Sequence, residues 1–313
     1  MKNPPPPLKT LAFHREFGAF RGGHLKVWHY FCHAKASRVF RPTIHLAPGS
    51  ILDESNPWIS AADPIQSAWV PDKADALFLA GTDWLAVPKD CATPAINLVM
   101  HVRHGDPADP RHAFLSRRAF RICLSKEVEI AILATGKVNG PVITIPASLD
   151  FDGFPEPPRE RDIPLLIAGL KKPKLATEIS CELDALGIVH TCLPRALPRL
   201  EFLALLGRAA VTLFLPNAKE GFYLPALEGM AMGTVVVCPD CVANRGFCLN
   251  GINCLRPDAD KQSILASVLR AVQFPAASQE ALRNAARETV NEHRLARERE
   301  RFLEILDQVG NSI

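Results

Sequence analysis

The sequence lacks any apolar run that approaches the ~18 residues of a membrane-spanning helix. The N-terminal segment 1–8 holds four prolines and no apolar core of the kind that a secretory signal peptide requires. We therefore expect a cytoplasmic protein without a transmembrane segment, for which any membrane contact would be peripheral.

An excess of charge of one sign is also missing, because the 313 residues carry a net charge of only +3. This balance gives no indication of nucleic acid as a partner. The nine cysteines are odd in number and scattered, unlike the dense, even framework of a small secreted domain. Reduced thiols in a cytoplasm are the expected state.

No Gly-x-Gly-x-x-Gly occurs in the chain, which argues against a dinucleotide-dependent dehydrogenase. Cys238 and Cys241, with Cys248 and Cys254 behind them, have the paired thiols that a zinc site uses. However, Cys238 ends a Val-Val-Val run, and the later two cysteines stand six residues apart without a second close pair. Buried free thiols are the preferred interpretation.

Short apolar runs alternate with helical periodicity along the chain, which predicts an α/β fold with mostly parallel sheets covered by helices on both faces. With 48% hydrophobic residues, the 313 residues are enough for two domains. The predicted strands are 8–13, 41–47, 76–80, 96–100, 120–124, 141–145, 165–168, 188–192, 211–215 and 234–238. The predicted helices include 25–32, 111–119, 126–135, 176–186, 198–208, 260–273, 278–292 and 294–309.

The alternation breaks at segment 150–164, which contains four prolines and seven charged residues. Such a composition is typical of an interdomain linker. We predict an N-terminal domain over 1–150, a linker over 151–162, a C-terminal domain over 163–290 and a C-terminal helix over 291–313. Two doubly wound domains in sequence would bind ligands outside the carboxyl ends of their strands, in a cleft between them.

The stretch 218–233 places Glu220 and Glu228 eight residues apart, across a turn that opens a short helix. Pro225 suits the first helical turn and Gly233 suits the helix exit. The free N–H groups at such a helix start can bind phosphate, and Gly221 would let the ligand approach the backbone. The alternative is an ordinary loop with a solvated glutamate, followed by a helix with a capping carboxylate.

The run Glu-Gly-Phe-Tyr-Leu-Pro-Ala-Leu-Glu, followed by Met-Ala-Met-Gly-Thr-Val-Val-Val and by Asn-Gly-Ile-Asn-Cys-Leu-Arg-Pro, resembles the donor-binding half of GT-B glycosyltransferases. The resemblance is to the retaining Glu-x7-Glu class (glycosyl transferases group 1, family 4-like), and it is strongest over 163–260. It implies two Rossmann-like domains that face each other across a cleft. It also implies that Glu228 binds the donor ribose and that Glu220 lies near the donor sugar, with the other donor-binding residues of this run being Gly221, Phe222, Tyr223 and Leu224.

The N-terminal domain offers its own candidates after its strands. Gly22 and Gly23 would let main chain approach the donor, although a tight strand-to-helix turn also favours glycine. His101 follows the strand 96–100, and the resemblance suggests that a histidine of this domain touches the donor sugar. His104 and His24 are the alternatives, and each histidine is also compatible with a simple polar loop.

Positive charge is needed to stabilise a departing diphosphate. Relatives supply an Arg and a Lys about five residues apart after the first strand of the second domain, but Leu170 stands where the Arg is expected. Lys171 is therefore the first candidate and Lys174 the second; the alternative is a solvated lysine run at a helix start.

The predicted function is transfer of a sugar from a nucleoside-diphosphate sugar to a saccharide, lipid-linked or other acceptor, with retention of configuration and without a metal or other cofactor. Two alternatives remain open. The first is a GT-B sugar-nucleotide epimerase or hydrolase, and the second is a degenerate, non-catalytic sugar-binding module, which the missing Arg would suit.

Overall fold

A computed structural model describes residues 7–18, 22–193 and 195–312 of the chain. The chain divides into two units: the first is Met1–Ala147 with Leu295–Ile313, and the second is Ser148–Arg294. Most of the proline-rich N-terminal segment, residues 1–6, lies outside the described residues. Over the described ranges, no helix is both long and apolar enough to cross a membrane.

Both units are built on a parallel sheet. The first sheet has six strands in the order β2-β1-β3-β4-β5-β6, and the second has four in the order β10-β9-β7-β8. The strands are β1 (Lys9–Arg15), β2 (Phe40–Leu46), β3 (Ala76–Ala80), β4 (Ala95–Val99), β5 (Phe120–Cys123), β6 (Val142–Thr144), β7 (Ile163–Ala168), β8 (Thr191–Cys192), β9 (Ala209–Phe214) and β10 (Val235–Val237). Every pairing between these strands is parallel.

Helices connect and flank the strands, as parallel pairing requires. They are α1 (Gly22–Ala34), α2 (Pro57–Ser60), α3 (Lys126–Leu133), α4 (Pro173–Ala185), α5 (Arg199–Arg208), α6 (Leu224–Ala231), α7 (Lys261–Gln273), α8 (Ala276–Glu292) and α9 (Leu295–Gly310). Short 3-10 helices in the described chain are Pro71–Lys73, Asp83–Ala86, Val102–Gly105, Pro110–Ser116 and Val242–Asn244.

The strands have nearly continuous apolar sequences because both faces of each sheet are covered. Every residue of β3 and β4 is buried. In the first unit, Phe13 of β1 stacks on Phe78 of β3 at 4.5 Å between ring centroids and meets Phe31 of α1 edge-on. The buried apolar strands thus form the core of each unit. Because the strands of each sheet are parallel, the loops that follow them lie at the same edge of that sheet.

The predicted alternation of strands and helices is confirmed, with two local differences. Segment 111–119 is mostly a 3-10 helix, since the carbonyls of Phe114, Leu115 and Arg117 accept hydrogen bonds from the Arg121 guanidinium. The strand predicted at 188–192 is shortened to β8, because the chain is still leaving α4 at this point: the Ile188 amide donates to the Leu183 carbonyl.

The ends of the second unit were predicted less well. The segment expected to be a linker clusters with the second unit, where Arg161 donates to the carbonyls of Gly207, Ala209 and Met232. The C-terminal helix α9 clusters with the first unit, where Phe302 packs edge-on against Tyr30 at 4.8 Å. The Arg161 guanidinium thus attaches the predicted linker to the second unit, and the apolar face of α9 attaches that helix to the first unit. The amino-acid composition of both segments indicates only that they are polar.

Candidate functional site

Glu220 and Lys171 meet at one point of the second sheet. Lys171 follows β7 and Glu220 follows β9, and these two strands are neighbours. The Lys171 Nζ lies 2.7 Å from the Glu220 Oε1, which also accepts the Asn217 amide at 3.1 Å. From β7 the chain continues to β8 at one edge of the sheet, and from β9 it continues to β10 at the other edge. The point between β7 and β9 is therefore the topological switch point, at which open α/β sheets bind ligands.

Glu228 lies inside α6 and is 5% exposed. Its Oε1 lies 2.8 Å from a terminal guanidinium nitrogen of Arg199, the first residue of α5. Burial raises the pKa of Glu228, and the Arg199 guanidinium opposes that rise. Arg199 also stacks over the Phe154 ring at 5.6 Å, and 46% of its side chain remains exposed. A buried carboxylate with a half-exposed cation is an acceptor group that a ligand can reach by displacing that cation.

Two glycines allow the close packing that positions these carboxylates. A Cβ at Gly169 would lie 2.5 Å from the Ala176 Cβ, so only glycine lets the chain pass from β7 into α4 here. A Cβ at Gly229, next to Glu228, would lie 2.9 Å from the Phe214 ring. Both glycines bring a helix close to the sheet, and the positions of the two carboxylates therefore depend on them.

The loop between the two glutamates is braced by aromatic contacts. Phe222 stacks on the Phe247 ring at 4.8 Å. Tyr223 is 3% exposed, its amide donates to the Ala243 carbonyl, and its ring lies under the Lys171 ammonium at 5.2 Å. Gly221 and Leu224 remain partly exposed. In the predicted donor-binding run, the aromatic side chains of Phe222 and Tyr223 are thus held by packing, while Gly221 and Leu224 remain accessible.

Two helix starts lie at the same edge of the second sheet. The helix α4 begins at Pro173 and α6 at Leu224, with proline in the first turn of each. Unpaired N–H groups and the helix dipole make such ends favourable for anions. Lys174 lies in the first turn of α4, is exposed, and has no hydrogen-bond or ion-pair partner among the described residues.

The first unit brings its candidates to the carboxyl edge of its own sheet. Gly22 and Gly23 open α1 directly after the loop that follows β1, and His101 follows β4. A Cβ at Gly23 would lie 3.6 Å from the Met100 side chain, so the glycine pair and the His101 loop are adjacent. His101 is held by Arg103, whose amide lies 3.1 Å from the His101 Nδ1.

The three candidate histidines differ in accessibility. His104 is 3% exposed, and burial and the nearby Arg111 lower the pKa of His104 to about 3, which keeps it neutral. His101 and His24 are partly exposed. Accessibility therefore favours His101 or His24 over His104 for contact with a ligand.

Three residues of these edges were missed by the sequence reasoning: Arg15, Asp83 and Arg199. The Arg15 guanidinium donates to both carboxylate oxygens of Asp83 at 3.0 and 3.1 Å and to the His24 Nδ1 at 3.2 Å. Burial raises the pKa of Asp83 to about 6, against the opposing charge of Arg15. This network lies at the β1–β3 switch point of the first sheet. The one feature of the sequence that could have indicated Arg15 as a site residue is its position as a charged residue at the end of a buried strand.

All nine cysteines are free thiols. Cys238, Cys241, Cys248 and Cys254 are all buried, and burial raises the pKa of Cys241 to about 12. In the described part of the chain, no three side chains of His, Cys, Asp and Glu gather as a metal site would need. The clustered cysteines are thus buried free thiols in the core of the second unit.

No protein-family model and no curated protein matches the chain. Solved structures do match it. HepE of Anabaena in complex with UDP-glucose aligns with a TM-score of 0.72 and 12% identity, over 96% of this chain and 100% of the other. A glycosyltransferase from Rickettsia africae aligns with a TM-score of 0.75 and 12% identity, over 96% and 98%. Sucrose-phosphate synthase from Thermosynechococcus elongatus aligns with a TM-score of 0.68 and 13% identity, over 97% and 100%.

These similarities extend over nearly the whole chain and include both units. The chain therefore has the GT-B fold, and the fold class predicted from the sequence is confirmed. At 12–13% identity, the match establishes the architecture and not the substrates.

Proposed function

We propose that the chain is a glycosyltransferase that moves a sugar from a nucleoside-diphosphate sugar to an acceptor, with retention of configuration. The observation that carries this proposal is the pair of glutamates at the carboxyl edge of the second sheet, each with its own cation. Lys171 is the cation of Glu220, and Arg199 is that of Glu228. The neighbour crystallised with UDP-glucose makes a uridine nucleotide the first donor to test.

In this proposal Glu228 accepts hydrogen bonds from the two ribose hydroxyls, as a carboxylate with several lone pairs can. Lys171, Lys174 and the starts of α4 and α6 surround the diphosphate and stabilise the charge that develops as the sugar leaves. The bond from the anomeric carbon to the phosphate oxygen breaks, and the acceptor oxygen forms the new bond on the same face. The departing phosphate takes the acceptor proton, so no protein nucleophile is required.

In this proposal Glu220 keeps Lys171 in place and lies near the donor sugar, as the family resemblance implies. Gly22, Gly23 and His101 of the first unit are assigned to the donor and acceptor side, as the family resemblance implies. The positive charges of the lysines and helix starts fill the role that a metal ion has in other transferases, so we propose that none is used. The nine free thiols support a reducing cytoplasm as the place of action.

Replacing Lys171 with methionine is expected to lower turnover about 100-fold, because a cation aimed at the developing diphosphate charge contributes on this scale. Donors are first found by thermal stabilisation with UDP, GDP and dTDP sugars, since a ligand that binds only the folded state raises the melting temperature. Nucleotide release is then measured with candidate acceptors for wild type and for Lys171→Met and Lys174→Met. A smaller loss in Lys171→Met than in Lys174→Met would reverse the assignment of the two lysines.

The same assay distinguishes the alternatives. A transferase releases nucleotide only with an acceptor and yields a conjugated sugar. A hydrolase or epimerase releases nucleotide or converts the donor without one. A binding module is stabilised by the donor and releases nothing with any acceptor, which would contradict the proposal.

Substituting alanine at Gly22 is expected to reduce donor affinity about tenfold without destabilising the protein. A Cβ there meets no heavy atom of the described residues within 4 Å, and alanine is favoured over glycine in a helix by roughly 0.5–1 kcal/mol. Any loss of binding must then come from the ligand that approaches this backbone. Gly18→Ala is the matched control, because a Cβ there also meets no heavy atom of the described residues within 4 Å. Unchanged affinity in Gly22→Ala would remove this glycine from the donor site.

A further inference from the structure

A cavity of about 880 Å³ opens at the amino-end edge of the first sheet. Its walls include Leu77 near the start of β3, Ala95 at the start of β4 and Phe120 at the start of β5. All strands of this sheet run in the same direction, so the cavity lies at the edge opposite to Gly22 and His101. It is therefore separate from the edge to which the donor and acceptor are assigned, and its volume is in the range of sites for small molecules.

The charge of this cavity has one sign. Among the residues that the structure describes, its lining contains Lys89, Arg117 and Arg118 and no Asp or Glu. Lys89 and Arg118 are exposed and have no hydrogen-bond or ion-pair partner among the described residues. A concave wall on which the described side chains supply three cations and no acidic group concentrates positive potential and selects for an anion.

Arg117 is fixed in place by its surroundings. Its guanidinium donates to the carbonyls of Trp84 at 3.3 Å, Val87 at 2.9 Å and Pro88 at 2.5 Å, and lies 4.6 Å from the centre of the Trp84 ring. The wall that carries Arg117 and Arg118 is itself held by Arg121, which is fully buried. Arg121 donates to the carbonyls of residues 114, 115, 117, 119 and 139. Arg117 and the backbone that carries Arg118 are therefore held in place before any ligand arrives, which limits the entropy lost on binding.

The remaining lining is largely apolar, with Val87, Pro94, Phe120 and Val309 among its side chains. Trp84 also lines the cavity, is 3% exposed, and its indole N–H has no hydrogen-bond partner in the described chain. The charged groups at this site are thus all cations, and they are combined with an unmatched indole donor and a largely apolar surface. A free inorganic anion would leave the apolar surface uncovered, and a neutral apolar molecule would leave the cations unmatched.

We propose that this cavity binds an organic phosphate, with the phosphate group at Lys89 and Arg118 and an apolar body against Phe120 and Val309. Charge-assisted hydrogen bonds to Arg and Lys are the usual means of phosphate binding in proteins. Such a ligand comes either from solution as a phosphorylated small molecule or from a membrane as a phosphorylated lipid. The site does not depend on the function proposed above.

Binding of phenyl phosphate to the full chain, followed by isothermal titration calorimetry, tests the solution source. Lys89→Gln/Arg118→Gln is expected to weaken binding at least about tenfold, because two charged partners are lost. Arg41→Gln/Lys137→Gln removes two exposed cations of the first unit that do not line the cavity, and should bind as wild type does. Inorganic phosphate should bind at least about tenfold more weakly than phenyl phosphate, since it leaves the apolar wall exposed.

The membrane source is tested by co-sedimentation with phosphatidylcholine vesicles that contain or lack phosphatidic acid. Binding that needs phosphatidic acid and is lost in Lys89→Gln/Arg118→Gln supports the lipid; phenyl phosphate binding without vesicle binding supports the soluble ligand. Absence of both overturns the proposal, as does equal binding by the double variant. Equal affinity for inorganic and phenyl phosphate would overturn the apolar half of the site.

Discussion

Replacing Glu228 with glutamine is expected to weaken donor binding about 30- to 150-fold while the protein stays folded. A hydrogen bond from a ribose hydroxyl is worth about 1.5–3 kcal/mol to a carboxylate and about 0.5–1.5 kcal/mol to a neutral acceptor, so removing the charge from two of them costs roughly 2–3 kcal/mol. Glutamine keeps the shape of the buried side chain, and a neutral group is easier to bury than a carboxylate. The melting temperature should therefore stay close to that of wild type.

Calorimetry with the best donor from the thermal screen measures this effect. Glu201→Gln is the matched control, because Glu201 lies in the first turn of α5 near Arg199 and is exposed. It should bind the donor as wild type does. If folded Glu228→Gln also binds the donor as wild type does, the assignment of Glu228 to the ribose is wrong.

The pH dependence of donor binding gives a second readout of Glu228. Burial raises the pKa of this carboxyl, so it takes up a proton at a higher pH than an ordinary glutamate as the solution is acidified. The protonated form accepts ribose hydroxyls poorly, and donor affinity should fall on acidification for this reason. Glu228→Gln should lack that part of the pH dependence. A purely structural role of Glu228 would not make donor affinity depend on pH in this way.

The sequence was most informative where the chemistry is local. Buried parallel strands are recognisable as short apolar runs, and 76–80 was predicted with the bounds that β3 has. Glu220 and Glu228 were predicted as site residues because one turn and one helix set their spacing and because the run resembles the Glu-x7-Glu motif. Lys171 was predicted from the same resemblance by its place after β7, and the structure brings it to Glu220 across two neighbouring strands.

The residues that were missed owe their positions to contacts that no local pattern specifies. Arg199 lies 29 positions before Glu228, and the contact between them depends on how α5 and α6 pack against β9. Arg15 meets Asp83 because β1 and β3 are neighbours although β2 lies between them in sequence. Helix α9 shows the same limit, because its periodicity reveals an apolar face but not the surface that this face covers.

Replacing Glu298 of α9 with alanine is expected to destabilise the first unit by about 3–5 kcal/mol, the usual consequence of removing one partner of a buried ion pair. Glu298 is 1% exposed, and its carboxylate accepts the Lys26 ammonium at 2.5 Å and lies 3.0 Å from the His33 Nε2. Without it, the buried Lys26 of α1 loses its counter-ion. Glu304→Ala, an exposed position on the same helix, should change stability by less than about 0.5 kcal/mol.

Denaturant unfolding of the full chain measures these differences, and the double variant Lys26→Met/Glu298→Leu identifies their origin. If the loss in Glu298→Ala comes from an unpaired buried charge, the double variant should recover most of it, since apolar side chains of similar size often replace a buried ion pair without loss. If the double variant is as unstable as Glu298→Ala, packing around the carboxylate is the cause and the ion-pair explanation is wrong.

Acid should reveal the same cluster in the wild-type protein. Burial alone would raise the pKa of Glu298, but Lys26 and His33 outweigh it and lower the pKa to about 2, against 4.5 in the unfolded chain. A carboxyl with a depressed pKa stabilises the fold above its unfolded pKa, and this stabilisation is lost as the pH falls from 4.5 towards 2. Burial also lowers the pKa of His33 below 6.5, so the unfolded chain takes up this proton first and stability already begins to fall below that pH. Between pH 4.5 and 2, the free energy of unfolding should thus decrease less steeply in Lys26→Met/Glu298→Leu than in wild type, and equal slopes would remove Glu298 as a source of the acid sensitivity.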